Sequence, residues 1–222
     1  MSGASQHGGG PTRWSVIVLT GGASTRMGRD KATLAIDGQT LLERTLSGVP
    51  EAVPVLVAGP AVPLRRSNVA FAREEPPGGG PVAGLDAALG LAGTDVVVVL
   101  ATDLPFVGEL PRALADELLH ADASVDAVLA VDAEGRSQQL CGAYRADALR
   151  SAIAAGGAAS GASMRGVVAR LNTRTLEVGA AGGPIAASDA MVDPVRDIDT
   201  PQDLAETFGR GHLAEQQGGS DE

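Results

Sequence analysis

The chain has 222 residues, of which 44% are hydrophobic, so it can bury the core of one domain of ordinary size without metal or disulfide staples. Its net charge of −10 at pH 7 argues against a protein that holds nucleic acid through many phosphates, because that affinity comes from lysine and arginine. An aromatic content of 2% argues against a protein that stacks nucleic-acid bases on aromatic side chains. A single cysteine excludes intrachain disulfides, and no apolar run approaches the ~18 residues that a membrane span requires.

Both ends of the chain are predicted to be disordered tails. Residues 1–12 and 210–222 are mainly small, polar and charged, with nothing to bury. The N-terminal stretch has no apolar segment of the kind found in secretory signals, and a single cysteine is typical of a reducing compartment. We therefore expect a cytoplasmic protein with one folded domain over residues 13–209 and with neither a membrane nor a nucleic acid as partner.

The first predicted element is a buried strand, Trp14–Leu19, which leads into a glycine-rich loop. The loop contains three glycines and three basic residues: Gly21, Gly22, Gly28, Arg26, Arg29 and Lys31. Glycines let backbone N–H groups approach an anion, and the basic side chains bring positive charge to the same place. A strand that ends in such a loop is typical of phosphate binding in open α/β sheets.

Lys31 is the only lysine among the 17 basic residues of the chain. An ammonium group is a compact point charge that suits a phosphate oxygen, a role for which a planar guanidinium is a poor substitute. We therefore predict that Lys31 and Arg26 stabilise a triphosphate and a departing pyrophosphate. The alternative is a solvated surface lysine retained by chance.

Beyond the loop, predicted strands and helices alternate, which is typical of a mostly parallel sheet with helices on both faces. A short extended segment over residues 32–38 ends in a turn at Asp37-Gly38. The later predicted strands are Val53–Ala58, Asn68–Ala72, Asp95–Ala101, Asp126–Val131, Leu140–Tyr144 and Thr173–Val178. The predicted helices run from the cap Thr40 to Leu46, Pro81–Leu91, Glu109–His120, Ala146–Ala155, Ser163–Leu171 and onward from Pro201.

The strand Asp95–Ala101 contains four consecutive valines, which suit a central position buried on both faces. It leads into Thr102-Asp103-Leu104-Pro105. A carboxylate just past such a strand lies on the ligand-binding edge of an open α/β sheet, the same edge as the first loop. We predict that Asp103 holds Mg²⁺ at this edge. The alternative is a turn residue or a helix cap before Pro105.

A Pro- and Gly-rich loop over Arg73–Pro81 precedes the second predicted helix. Such a loop either crosses the surface or closes over a ligand. It contains two adjacent acidic residues, Glu74 and Glu75.

Residues 19–31 resemble the signature loop of the MobA-type nucleotidyltransferases, L-x-G-G-x-S-x-R-M-G-x-D-K. The segment Gly80-Pro81-Val82-Ala83-Gly84 is similar to the G-P-[LV]-A-G segment of the same family, and the likeness extends from Val16 to about Leu204. It implies a Rossmann-like sheet of the nucleotide-diphospho-sugar transferase type. It also implies transfer of GMP from GTP to the phosphate of molybdopterin, which releases pyrophosphate and forms a guanine dinucleotide cofactor.

The resemblance also implies a set of site residues. Catalytic roles fall on Lys31, Arg26 and Asp103, and the metal is Mg²⁺. The acidic position before the G-P-[LV]-A-G segment falls on Glu74 or Glu75, of which we predict Glu74. The predicted nucleotide contacts are Leu19, Thr20, Gly21, Gly22, Ser24, Gly28, Lys31, Glu74, Gly80, Pro81, Gly84 and Asp103.

Two short segments favour guanine as the base. Related cytidylyltransferases resemble L-A-A-G in the loop and D-Q-P after the metal strand, whereas this chain has Thr20-Gly21-Gly22 and Asp103-Leu104-Pro105. We expect Gly22 to leave room for the larger purine or to free a backbone N–H for it.

The acceptor side departs from the family pattern N-x-N-T-P-E, because this chain has Asp197, Asp199 and Gln202 there. Asp199 is predicted to be a second metal contact, since two carboxylates near an anion need a cation between them; alternatively, Asp197 only caps a helix. Together with Arg165, both aspartates are candidate acceptor contacts, although a solvated helix charge explains Arg165 equally well.

We therefore expect a magnesium-dependent guanylyltransferase whose substrates are GTP and molybdopterin. Transient contact with molybdoenzymes or cofactor-inserting proteins is also expected. Two alternatives stay open. One is an enzyme of the same fold that uses CTP or another nucleotide, or acts on a different phosphorylated acceptor. The other is a non-catalytic nucleotide-binding regulator.

Overall fold

The computed structural model describes residues 13–20, 35–36, 38–178 and 195. The strands are β1 (Trp14–Leu19), β2 (Ala35–Ile36), β3 (Gln39–Thr40), β4 (Val55–Ala58), β5 (Val69–Ala72), β6 (Val96–Ala101), β7 (Ala127–Val131), β8 (Ser137–Arg145) and β9 (Thr173–Glu177). The helices are α1 (Leu41–Thr45), α2 (Pro81–Leu89), α3 (Leu110–His120), α4 (Ala146–Ala155) and α5 (Met164–Val168).

Seven strands form one sheet in the order β5-β4-β1-β6-β8-β7-β9, and β2 pairs with β3 in a small hairpin. Every neighbouring pair in the large sheet is parallel except the two pairs that contain β8. The predicted mostly parallel α/β sheet is therefore confirmed. Strand β8 is antiparallel to β7 because a tight turn joins the two strands and returns the chain alongside β7.

Helices cover both faces of the sheet, as predicted. Helices α1 and α3 pack against one face, onto which β1 projects Val16 and Val18. Helices α2, α4 and α5 pack against the other face, together with Ile17 and Leu19. Because β1 and the valines of β6 are buried on both sides, these two strands form the centre of the molecule.

The strand order places a reversal of direction between β1 and β6. From β1 the chain moves outward to β4 and β5 on one side, and then returns to β6 on the other side. Where the order reverses in this way, the connections leave the two strands in opposite directions and open a crevice at their carboxyl ends. Those ends are paired as Leu19 with Ala101.

The local signals for the helices are confirmed where the structure describes them. Thr40 caps α1 through its hydroxyl, which accepts the backbone N–H of Glu43 at 3.1 Å, while the Glu43 carboxylate accepts the N–H of Thr40 at 2.9 Å. Strand β8 begins at Ser137, three residues before its predicted start, because it pairs with β7 up to the turn. Helix α5 ends at Val168, three residues before the predicted end.

Cys141 lies in β8 and is buried. Within the part of the chain that the structure describes, no helix is long and apolar enough to cross a membrane. The helix predicted from Pro201 lies outside the described residues.

Candidate functional site

Two buried threonines connect neighbouring strands at their carboxyl ends. Thr20 connects β1 to β4, and Thr102 connects β6 to β1. The backbone N–H and the hydroxyl of Thr20 both donate to the carbonyl of Ala58, at 3.1 and 3.0 Å. The backbone N–H and the hydroxyl of Thr102 both donate to the carbonyl of Leu19, at 3.2 and 2.9 Å. Asp103 follows Thr102 directly, so its backbone is anchored to β1.

A third threonine, Thr45 at the end of α1, contacts the backbone of the turn that contains Asp103. Its buried hydroxyl, whose single proton also has the carbonyl oxygen of Leu41 within reach at 3.0 Å, lies 3.1 Å from the carbonyl oxygen of Thr102 and 3.3 Å from that of Leu104. These two carbonyls flank Asp103, and Thr45 thereby restricts the turn that carries this carboxylate. Thr45 could not be found from the sequence, because a threonine in a short helix shows no spacing that relates it to a residue 57 positions away.

The residues that the structure describes line two cavities at this edge, of which the smaller has a volume of about 360 Å³ and is here called the glycine cavity. It lies between the ends of β1 and β4 and the start of α2. Its lining residues are Leu19, Ala58, Gly59, Pro60, Arg73, Glu74, Pro77, Gly78, Gly80, Pro81 and Gly84. Five of the predicted nucleotide contacts are thus brought together here, although the chain separates Leu19 from Gly84 by 65 positions.

Glu74, and not Glu75, lines the glycine cavity. One carboxylate oxygen of Glu74 accepts the backbone N–H of Gly78 at 3.0 Å, which fixes the side chain within its own loop. The side chain of Glu75 is exposed and lies outside the cavity lining. Of the two adjacent glutamates, Glu74 is therefore the one placed at this cavity, and its contact with a nucleotide stays a prediction.

Glycines shape the cavity wall at the start of α2. Gly80, which precedes the helix, has a φ of +90°, a backbone conformation that residues with a Cβ rarely adopt. Gly84 lies inside the helix, where a Cβ would be 3.5 Å from the Cβ of Ala58 and 3.8 Å from a carboxylate oxygen of Glu74. That space is open to a side chain in the protein alone, so the missing methyl group enlarges the cavity.

The larger cavity, here called the hairpin cavity, has a volume of about 1080 Å³. It lies between the end of β6, the β7–β8 hairpin and α5. Its lining residues include Ala101, Asp103, Asp132, Glu134, Arg136, Gln138, Arg165 and Val195. The structure thus brings Asp103 and Arg165, predicted to contact the metal and the acceptor, to one cavity.

The turn between β7 and β8 is organised around the carboxylate of Asp132, which is only 4% exposed. Four donors surround it, which are the backbone N–H groups of Glu134 and Arg136, Nε of Arg136 and the side-chain amide of Gln138. The backbone N–H of Arg136 is the main cause that lowers the pKa of Asp132, and burial opposes it. An aspartate in a turn between two strands carries no signal in the sequence that marks it as a site residue.

The remaining predicted site residues lie outside the described part of the chain. They are Gly21, Gly22, Ser24, Arg26, Gly28, Lys31, Asp197 and Asp199. The expected proximity of Lys31 to Asp103 therefore stays a prediction. Thr20, the last described residue before that loop, lies at the edge of the sheet described above.

A family model described as the MobA-like NTP transferase domain matches residues 16–175, which include both cavities except for Val195. The chain belongs to the MobA-like NTP transferase family. This match begins within β1 and ends within β9, so it includes at least part of every strand of the large sheet.

Two curated relatives carry the same printed name, "Probable molybdenum cofactor guanylyltransferase". The protein of Carboxydothermus hydrogenoformans is 33% identical over 133 residues, which cover 59% of this chain and 65% of the relative. The protein of Mycobacterium avium is 38% identical over 154 residues, which cover 65% of this chain and 76% of the relative. The matched stretch therefore spans about two thirds to three quarters of these relatives.

Two solved structures share the fold. Molybdopterin-guanine dinucleotide biosynthesis protein A of Archaeoglobus fulgidus has a TM-score of 0.65 at 24% identity, over 87% of this chain and 96% of that chain. The 2-C-methyl-D-erythritol 4-phosphate cytidylyltransferase of Thermus thermophilus has a TM-score of 0.61 at 23% identity, over 88% and 98% of the two chains. At these identities the likeness concerns the fold alone.

Proposed function

We propose that this protein transfers GMP from GTP to the phosphate of molybdopterin, which releases pyrophosphate and forms the guanine dinucleotide cofactor. The observation that carries the proposal is the arrangement of the two cavities. Leu19 lines the glycine cavity and Ala101 lines the hairpin cavity, and these residues are directly paired in neighbouring strands. The linings therefore come within one strand spacing, about 4.8 Å, as a product of two halves joined by a diphosphate requires.

The glycine cavity suits the guanosine half. A carboxylate accepts hydrogen bonds and cannot donate them when it is ionised, so Glu74 suits the N–H donors on the base-pairing edge of guanine. One of its oxygens already holds Gly78, while the other faces the space beside Gly84. The curated relatives are named as probable guanylyltransferases, which supports the same choice of nucleotide.

A magnesium ion fits the residues at the shared edge. Mg²⁺ is commonly bound by one or two carboxylates together with substrate phosphates. Among the described residues no cluster of three or more His, Cys, Asp or Glu side chains could hold a metal. Asp103 would therefore hold Mg²⁺ jointly with the triphosphate, and Asp199 is proposed as a second contact. When bound, the ion would lower the charge that an incoming phosphate meets.

The chain's own residues would then position the reactants. An oxygen of the acceptor phosphate forms a bond to the α-phosphorus of GTP, and the bond from that phosphorus to the bridging oxygen breaks, so pyrophosphate leaves. No general base is needed, because a phosphate monoester is largely ionised at neutral pH. Lys31 and Arg26 are proposed to stabilise the charge that builds up on the triphosphate and on pyrophosphate.

The runner-up proposal is a nucleotidyltransferase of the same fold with another nucleotide or another phosphorylated acceptor. The aspartates at positions 197 and 199, where the family pattern has asparagines, favour it. The expected cytoplasmic location and the expected contact with molybdoenzymes belong to the first proposal and stay predictions.

The test is the release of pyrophosphate from GTP or CTP, with Mg²⁺ and molybdopterin, by the full chain. We expect release with GTP, and we expect Asp103→Asn to lower the rate at least about 100-fold. Glu117→Gln, which changes an exposed carboxylate on α3, serves as the control and should leave the rate unchanged. Release with CTP in preference to GTP would support the runner-up, and tight GTP binding without release under any condition would indicate a regulator instead.

A further inference from the structure

The β7–β8 turn makes more hydrogen bonds than a turn needs. Two backbone bonds close the turn, because Gly135 N–H donates to the carbonyl of Asp132 at 3.0 Å and Asp132 N–H donates to the carbonyl of Arg136 at 3.1 Å. Oδ1 of Asp132 adds to this closure by accepting the backbone N–H groups of Glu134 and Arg136, at 3.1 and 2.8 Å. Oδ2 accepts two side chains, Nε of Arg136 at 2.8 Å and the amide of Gln138 at 2.9 Å. The second oxygen therefore orients two side chains that line the hairpin cavity.

Arg136 is held at one edge of its guanidinium and is exposed at the other. Its side chain is 72% exposed, although the carboxylate that binds its Nε is buried. A second ion pair joins its Nη2 to the carboxylate of Glu134 at 3.1 Å, and the Glu134 side chain is 64% exposed. An exposed ion pair of this kind contributes little to stability, so a stronger anion can replace it.

We propose that Arg136 binds the anionic phosphate of the acceptor in the hairpin cavity, with Asp132 as its positioning residue and Glu134 as a counter-ion that the phosphate displaces. The inference rests on the proposed function, since it names a contact for the acceptor of that reaction. Arg136 and Arg165 would then be two cations that line the same cavity. A guanidinium whose Nε is already fixed presents its terminal N–H groups to phosphate in one orientation.

The charges around this cavity make the roles distinguishable. Three carboxylates and two guanidinium groups of the described residues line it: Asp103, Asp132, Glu134, Arg136 and Arg165. Asp132 is enclosed by donors, whereas Glu134 is exposed and competes directly for Arg136. Removal of the Glu134 charge should therefore strengthen acceptor binding, and removal of the Arg136 charge should weaken it.

The experiment measures the KM for molybdopterin, the KM for GTP and kcat in Arg136→Gln, Glu134→Gln and Asp132→Asn. Arg136→Gln should raise the acceptor KM about 10- to 100-fold, as expected for the loss of hydrogen bonds to a charged group, and leave the GTP KM unchanged. Glu134→Gln should lower the acceptor KM about two- to fivefold. Asp132→Asn should change the acceptor KM in the direction of Arg136→Gln.

The control is Arg112→Gln, which removes an exposed arginine that also pairs with a carboxylate, Asp116, but lies on α3 away from the cavity. It should change none of these constants. If Asp132→Asn fails to fold, the two exposed positions still decide the result. Equal acceptor KM values in the wild type and Arg136→Gln, or a raised value in Glu134→Gln, would overturn the inference while wild-type turnover left the proposed function standing.

A calorimetric titration of the chain with molybdopterin in the absence of GTP gives a second measurement that does not depend on turnover. Weaker binding by Arg136→Gln supports the inference, and unchanged binding overturns it alone. No binding by the wild-type chain, together with no turnover of molybdopterin, would overturn both the inference and the proposed acceptor.

Discussion

Thr20 and Gly59 occupy one space at the end of β1. A Cβ on Gly59 would lie 1.9 Å from the hydroxyl oxygen of Thr20 and 3.3 Å from its Cβ. The hydroxyl is directed there because it donates to the carbonyl of Ala58. The hydroxyl of Thr20 is therefore accommodated by the glycine that directly follows β4, and Gly59 lines the glycine cavity.

We predict that Gly59→Ala lowers the free energy of unfolding by about 1–3 kcal/mol, as overpacking of a close contact does. Thr20→Ala in the same chain removes the closest atom, so the double variant should lose less than the sum of the two single losses. Chemical denaturation of the wild type and the three variants gives the coupling energy, expected to be at least about 0.5 kcal/mol. Strictly additive losses would show that the two side chains do not share this space.

At the scale of single residues, the sequence predicted which residue types serve the site but not all of their partners. Asp103 could be found because it follows an unmistakable buried strand. Asp132 could not, because an aspartate in a hairpin turn looks the same whether it closes the turn or also orients an arginine. Glu74 and Glu75 are adjacent, and only the course of the loop through Gly78 separates them.

Helix α2 carries a glycine, Gly84, in its interior, where alanine would be more favourable for the helix by about 1 kcal/mol. The contacts that an added Cβ would make, at 3.5 and 3.8 Å, are ordinary van der Waals distances. Neither helix formation nor packing in the protein alone therefore requires glycine at this position. The cavity beside it does, if a ligand fills the space.

We predict that Gly84→Ala keeps or slightly raises the free energy of unfolding, by up to about 1 kcal/mol, but raises the KM for GTP about tenfold or more. The methyl group would occupy the cavity where the nucleoside is proposed to lie. Thermal unfolding and steady-state kinetics with GTP check the two halves of the prediction. Gly93→Ala is the control, because the added Cβ has no neighbour within 4 Å. It should change neither the free energy of unfolding nor the KM for GTP. An unchanged GTP KM in Gly84→Ala would place the nucleoside elsewhere.

At the scale of elements, local signals were sufficient for helix starts and for the central strands. The reciprocal Thr40–Glu43 cap and the polyvaline strand involve neighbours within a few residues, so the sequence alone reveals them. The extent of β8 and the order of the strands depend on partners far along the chain. Pairing of β6 with β8, and of β8 with β7, could not be predicted from the spacing of apolar residues.

The whole molecule is arranged around the reversal of strand order between β1 and β6. One cavity lies on the β4 side of β1 and the other on the β8 side of β6, so the proposed nucleotide and acceptor approach the shared edge from opposite sides. The sequence predicted that the first loop and Asp103 leave the same edge. The division of that edge into two cavities required the full sheet order, which is a property of the fold and not of any segment.

The most direct test of this account is a crystal structure of the chain with Mg²⁺ and a non-hydrolysable GTP analogue. We expect the guanine in the glycine cavity beside Glu74 and Gly84, with the α-phosphate directed across the ends of β1 and β6 toward Asp103. Guanine in the hairpin cavity, or phosphates remote from Asp103, would contradict the central claim that the two cavities hold the two halves of the product.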